Sequence, residues 1–418
     1  MLDKKLIGPF KQLLSLDHVP LKGAISDQQI NLLTHVGILI EKGKIIALTD
    51  YDELKEQHTS TAELIRIEAD AVCVPGYIDC HTHIAFAGNR ANDFALRNAG
   101  SSYLEIAESG GGIWSTVKHT RAASEKELIT AIIDRANFLL SQGITTIEVK
   151  SGYGLSIQEE LKILRALKKA QDFVAVDLVP TCLAAHMKPK DYEGTSEDYL
   201  TEMATHLFPV LKAEELSNRI DAFIEKSAFS AIEIQSYFRK AQALGFDITV
   251  HADQFSTAGS QVAIQFNAVS ADHLEASTAI EIAHLANSNT VAVALPGASI
   301  GIGCAFTPAR KLLDQGACLA IATDWNPGSA PMGQLMTQAT ILATAEKLSN
   351  AEVFAAITFR AAQALHLTDR GRMAVGEWAD FSIYKTDNYQ NITYLQGTMQ
   401  PEQVWKKGIM IYQKGEQR

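Results

Sequence analysis

Three times in this chain an amphipathic helical stretch ends at a glycine, a short apolar strand follows at once, and polar residues appear where the strand stops. The segments are ANFLLSQG–ITTIEV–KSGYG with Gly143 at the break, RKAQALG–FDITV–HADQF with Gly245, and ARKLLDQG–ACLAIA–TDWNPGS with Gly316. Glycine suits the left-handed position just past a helix end, where a side chain would be strained. The strands are apolar runs rather than strict alternations, as expected when both faces are buried in a parallel sheet. Further strands fit the scheme: VCVPGYID before His81, FVAVDLVPTCLAA before His186, AVSAD before His273, and TVAVALPG. In IQEELKILRALKKAQD between them, Leu161, Leu164 and Leu167 share one helical face. Repeated β-then-α over roughly 300 residues allows a (β/α)8 barrel or an open doubly wound sheet. The first strong strand ends in Asp-Cys-His-Thr-His instead of a glycine-rich phosphate loop, which favours the barrel.

The chain ends read differently. Val36 to Thr49 is two apolar runs around Glu-Lys-Gly-Lys, a hairpin signal, and GRMAVGEWADFSIYK and VWKKGIMIYQKG are also strand-like. The expected architecture is therefore α/β: a TIM-type barrel over 75–369, with a small β-sandwich built from both chain ends, 1–74 and 370–418. The excursion from Phe86 to Trp114 breaks the β/α rhythm, as functional loops often do. Thr290 to Phe306 is the most apolar stretch, but Pro296 and three glycines interrupt it; it reads as a buried strand running into a loop.

Composition narrows the function classes. The 418 residues are 47% hydrophobic and 20% charged, an ordinary globular mix. The net charge of −11, with no basic run, disfavours nucleic acid and a basic membrane patch. Five scattered cysteines without a CxxC pair disfavour a disulfide framework, and the N-terminus lacks a signal-peptide pattern; a cytoplasmic protein is expected.

His81-Thr82-His83 closely follows an apolar strand, and residues two apart in a strand face the same side. His251, His273 and Asp324 stand at other strand ends, and barrel closure brings all such ends to one rim. His81, His83, His251 and Asp324 offer three nitrogens and a carboxylate oxygen with room for water, the open type of metal site.

These residues, starting with PGYIDCHTH, resemble the amidohydrolase superfamily of metal-dependent hydrolases. FAGNRANDFALRNAGSSYLEI, ESGGGI, EVKSGYGL, AAH, ADHLE, TDWNPGS and GEWADFSIY make the chain similar, over nearly its whole length, to the imidazolonepropionase family. That resemblance implies hydrolysis of the cyclic amide of 4-imidazolone-5-propionate to N-formimidoyl-L-glutamate in histidine degradation. It implies one divalent ion, zinc or iron, on His81, His83, His251 and Asp324, with Asp324 and His273 catalytic. It places substrate contacts on Arg90, Tyr103, Tyr153, His186, Asn326, Gly328 and Ser329, and implies a homodimer. The substrate is a small molecule with a carboxylate tail, which the planar fork of Arg90 suits.

Gln254 stands where many family members carry Glu; it can orient a ring nitrogen but not shuttle a proton. Counting strands along the chain, Lys150 ends the third and His186 follows the fourth, so no lysine occupies the place of a bridging carbamate and a single ion is expected. Lys150 is read as a salt-bridged barrel lysine, with contact to the metal site as the other reading. The rival functions are another mononuclear amidohydrolase, such as an aromatic or guanidine deaminase, and a non-catalytic scaffold relative.

Overall fold

Eight parallel strands in sequential order form the centre of the molecule: Tyr77–Asp79, Ile144–Lys150, Asp177–Ala185, Arg219–Phe223, Asp247–Ala252, Ser270–His273, Val291–Ala294 and Leu319–Ile321. The computed structural model describes residues 3–68, 70–101, 105 and 110–416. The eighth strand meets the first just beyond their regular ends. There Thr82 bridges Trp325 in parallel, Asp324 N–H donates to His81 O at 3.0 Å, and His83 N–H donates to Trp325 O at 3.0 Å. Below this seam Asp79 accepts from Thr323 N at 3.0 Å and from its hydroxyl at 2.6 Å. A parallel barrel with helices outside it is the observed architecture.

The helices follow from the sequence signals. Glu125–Ser141 starts at Ser124 with a capping box to Glu127, and Ile157–Ala170 starts at Ser156, whose hydroxyl accepts from Glu159 N. Leu161, Leu164 and Leu167 are all buried against the barrel. The three break glycines take φ of +92°, +71° and +93°, as the sequence pattern required.

Four details differ from the sequence reading. VCVPGYID is two strands, not one: Val72–Pro75 belongs to an outer sheet and Tyr77–Asp79 to the barrel. Gly76 makes the crossing because a Cβ there would sit 2.5 Å from Thr145 Oγ1. The strand Arg219–Phe223 was not foreseen, since Arg219 and Asp221 break its apolar run; counted from Tyr77–Asp79, it is the fourth barrel strand, while Lys150 ends the second and His186 follows the third. After Val291–Ala294 comes a helix, Pro296–Ile302, where a loop was expected; Pro296 at its first turn needs no N–H. The excursion from Phe86 to Trp114 contains the helix Ala91–Asn98, while Tyr103 lies outside the described residues.

Two further sheets come from the chain ends. One has four strands, with Lys4–Phe10 between Val36–Glu41 and Ala62–Arg66, and Lys44–Asp50 at the edge beyond Val36–Glu41. The other has six strands and joins both ends, with Phe381–Tyr384 antiparallel to Val72–Pro75 in the register Ile383–Cys73. Ile7, Ile38, Cys73, Phe381 and Trp405 pack between the two sheets. Among the described residues no helix is long and apolar enough to cross a membrane.

A cluster of charges ties these sheets to the barrel. Asp177, at the foot of the third barrel strand, pairs with Arg370 and, at 2.8 Å, with Lys406, which also reaches Asp380 at 2.8 Å. Burial alone would raise the pKa of Asp177, but Lys406 and Arg370 outweigh it and hold the pKa below the ordinary value. A depressed carboxylate stabilises the fold above its unfolded pKa and loses that contribution as pH falls through the folded value. Replacing Asp177 by Ala is expected to cost about 2 kcal/mol in urea unfolding at pH 7. The gap to wild type should narrow in acid; a gap that widened there would contradict this account.

Candidate metal centre and cavity

His81 and His83 continue the first strand in extended form past its last regular residue, while His251 lies within the fifth strand. Their Nε2 atoms converge: His83 Nε2 is 3.2 Å from both His81 Nε2 and His251 Nε2. Asp324, held by the seam between the eighth and first strands, puts Oδ1 3.4 Å from His81 Nε2 and 3.3 Å from His83 Nε2. All four side chains are buried. Asp324 sits at φ +52° and His273 at φ +85°, strained for non-glycine residues and of the kind that cluster at functional sites.

A second tier of charge lies beneath. His81 Nδ1 is 2.6 Å from Asp272 Oδ2, and His251 Nδ1 is 3.0 Å from Asp221 Oδ2. The first contact assigns a ring proton to His81 Nδ1 and turns its Nε2 toward the other rings, whereas His251 Nδ1 lies beside Asp221 without hydrogen-bond geometry. Lys150 Nζ lies 2.8 Å from Glu148 Oε1, 2.8 Å from Asp221 Oδ2 and 3.6 Å from Asp272 Oδ2. Lys150 therefore pairs with carboxylates under the histidines, matching the salt-bridged reading. Burial and Lys150 act to lower the pKa of His81, but Asp272 and Asp324 outweigh them and raise it to about 9. Burial lowers His83 to about 3.

This arrangement fits a divalent cation. Three imidazole nitrogens and a carboxylate oxygen crowd together, and a cation there would take the place of the proton that His81, with its raised pKa, holds in the bare protein. Four buried carboxylates (Glu148, Asp221, Asp272 and Asp324) stand against the single ammonium of Lys150, and a buried uncompensated charge is costly. Of these supports the sequence reading missed Asp221, Asp272 and Glu148; acidic residues inside otherwise buried strands were the available signal.

Above the histidines opens a cavity of about 390 Å3. His186 and Tyr153 form one wall, with the His186 ring stacked on His83 at 5.7 Å between centroids. His186 Nδ1 is 2.9 Å from Gly152 O, which makes Nδ1 the donor and leaves Nε2 as an acceptor. Burial lowers the His186 pKa to about 4 and raises that of Tyr153. His273 lies across the cavity, its ring 5.4 Å from His251 and its Nδ1 3.5 Å from Glu275 Oε1. Arg90, Gln254, Gly328 and Ser329 also line the space. Asn326 lines it too, but its amide is engaged within its own loop: Oδ1 accepts from Gly328 N and Ser329 N, and Nδ2 donates to Asp324 O. Asp253 faces away, accepting from Ala258 N, Ser260 and Ser277. Arg97 lines the same cavity and went unremarked in the sequence.

The amidohydrolase family profile matches residues 106–412. An imidazolonepropionase from Bdellovibrio bacteriovorus is 39% identical over 391 residues, covering 93% of this chain and 91% of its own. One from Bacillus mycoides is 38% identical over 423 residues, covering 100% and 98%. Among solved structures, an adenosine deaminase from Xanthomonas campestris with bound zinc superposes with a TM-score of 0.71 at 17% identity, over 97% of this chain and 92% of that one. A guanine deaminase from C. acetobutylicum with guanine in its active site gives 0.69 at 15% identity, over 98% and 100%. At such identities the superpositions report the fold.

Asp272 carries a direct test of the lower tier. Asp272→Asn should weaken retention of a divalent ion by about 10–100-fold in a chelator competition, because it leaves His81 Nδ1 without its carboxylate. Unchanged retention would mean that this carboxylate does not tune the site.

Proposed function

This chain belongs to the imidazolonepropionase family of the amidohydrolases, and on that premise we propose how its cavity opens the ring of 4-imidazolone-5-propionate. The reaction is hydrolysis of a cyclic amide C–N bond in histidine degradation, with N-formimidoyl-L-glutamate as the product. The observation that carries the mechanism is the convergence of three Nε2 atoms and Asp324 Oδ1 within 3.2–3.4 Å contacts on the cavity floor.

His81, His83, His251 and Asp324 would hold one divalent ion, zinc or iron, since imidazole and carboxylate suit either. When bound, that ion supplies the acidification of water and the polarisation of the ring carbonyl. Asp324 accepts the proton of the attacking water and returns it to the leaving ring nitrogen, so the C–N bond breaks without an unstable amide anion. Its Oδ2, 3.5 Å from Ser329 Oγ, faces the loop that borders the cavity. His273 donates to the developing oxyanion, a contribution commonly worth about 3–4 kcal/mol per donor.

Other side chains bind and orient. His186, with Nε2 as an acceptor, and the Tyr153 hydroxyl engage the polar edge of the ring. Gln254 orients a ring nitrogen and carries no proton. Arg90 grips the propionate; its Nε is held by Asp93 at 2.7 Å and its Nη1 lies against Gly328. A Cβ at Gly328 would sit 2.4 Å from that Nη1, so a side chain there would push the guanidinium out of place. Ser329 and Asn326 shape this loop.

Metal-replete protein given fresh imidazolonepropionate should consume the ring absorbance. Asp324→Asn should abolish turnover while circular dichroism shows the fold intact; near-normal turnover would overturn the proton-transfer role. Gly328→Val should raise KM by displacing Arg90, an effect measured on the same assay.

A further inference from the structure

Of the side chains lining the outer end of the cavity, Arg90 and Arg97 are cationic and Asp93 is the carboxylate. Asp93 is committed to Arg90: its Oδ2 lies 2.7 Å from Arg90 Nε and also accepts from Gly112 N at 2.8 Å. The Arg90–Asp93 pair is thus close to neutral as seen from the cavity. Arg97 stands seven residues on from Arg90, about two turns along the same face of Ala91–Asn98, and its Nη2 donates to Gly328 O at 3.4 Å. Its Nε is shielded from solvent and has no hydrogen-bond partner among the described residues. Gly328 therefore has Arg90 Nη1 on one side and Arg97 Nη2 at its carbonyl, so both guanidiniums flank the same loop.

We propose that Arg97, which no carboxylate pairs with among the described residues, supplies the positive charge that selects an anionic tail in this cavity, while Arg90, neutralised by Asp93, sets the direction of that tail. This deepens the ring-opening reading above and rests on it for the identity of the tail. A shielded donor without a partner is a cost that a carboxylate would relieve on binding. Burial and the neighbouring Arg90 charge lower the pKa of Arg97 from the ordinary guanidinium value, with Asp93 opposing them, and guanidinium groups remain protonated in proteins.

Binding of imidazole-4-propionate and of its neutral propionamide tests the assignment, because the pair differs only in tail charge. Calorimetry on zinc-loaded full-length protein should show wild type favouring the acid by about tenfold or more. Arg97→Gln should lose most of that preference, and Arg97→Lys should keep part of it, since an ammonium retains the charge without the planar fork. Full preference surviving in Arg97→Gln overturns the proposal, as does a wild type with no preference for the acid. If Arg97→Gln is poorly folded by circular dichroism, Arg97→Met is measured in its place, and full preference for the acid surviving there overturns the proposal as well. Binding is read separately from turnover. Wild type that favours the acid yet opens no imidazolone ring contradicts the reaction and not the role of Arg97.

Discussion

The seam between the first and eighth barrel strands organises everything else in this molecule. Its two backbone hydrogen bonds, Asp324 N to His81 O and His83 N to Trp325 O, are made by three of the four residues that meet on the cavity floor. Closing the barrel and assembling the site are therefore one event. Residues 81 and 324 are distant in sequence, yet their carbonyl and amide fix the separation of their side chains to within the tolerance of a hydrogen bond. The left-handed backbone of Asp324 is part of that arrangement, and it is sustained because the buried Asp79–Thr323 pair anchors the turn just before it.

Charge is handled by layering. His81 donates its Nδ1–H downward to Asp272, His251 Nδ1 lies beside Asp221, and those carboxylates and Glu148 gather around Lys150. The result is a rigid set of acceptors aimed upward, with excess negative charge below them. Water could not relieve that charge in so buried a place, whereas a divalent ion would. The outer end of the cavity has the reverse balance, two guanidiniums against one carboxylate. In the proposed reading, a substrate with a polar ring and an acidic tail would lie ring toward the histidines and tail toward the arginines.

Much of this was legible in the sequence. Glycines at helix ends and polar residues at strand ends marked the barrel, and His81, His83, His251 and Asp324 stood out because imidazoles at strand ends are chemically conspicuous. Asp221 and Asp272 escaped notice for the opposite reason. Each sits within a strand, where a lone acid looks like an interruption of the apolar run rather than a support for a neighbour's ring. Arg219–Phe223 was lost as a strand on the same account. Arg97 lay in a segment read only as a long excursion; the helix Ala91–Asn98 brings its Nη2 to 3.4 Å from Gly328 O. Charge partners depend on which strands become neighbours, and that is set by the closed barrel, not by local pattern.

Anomalous diffraction from crystals of metal-loaded protein, collected at the absorption edge of the metal, tests the central claim most directly. The account predicts one strong peak, about 2.0–2.2 Å from Nε2 of His81, His83 and His251 and from an oxygen of Asp324. A peak elsewhere in the chain, or an ion bound by the histidines with Asp324 turned away from it, would contradict the account.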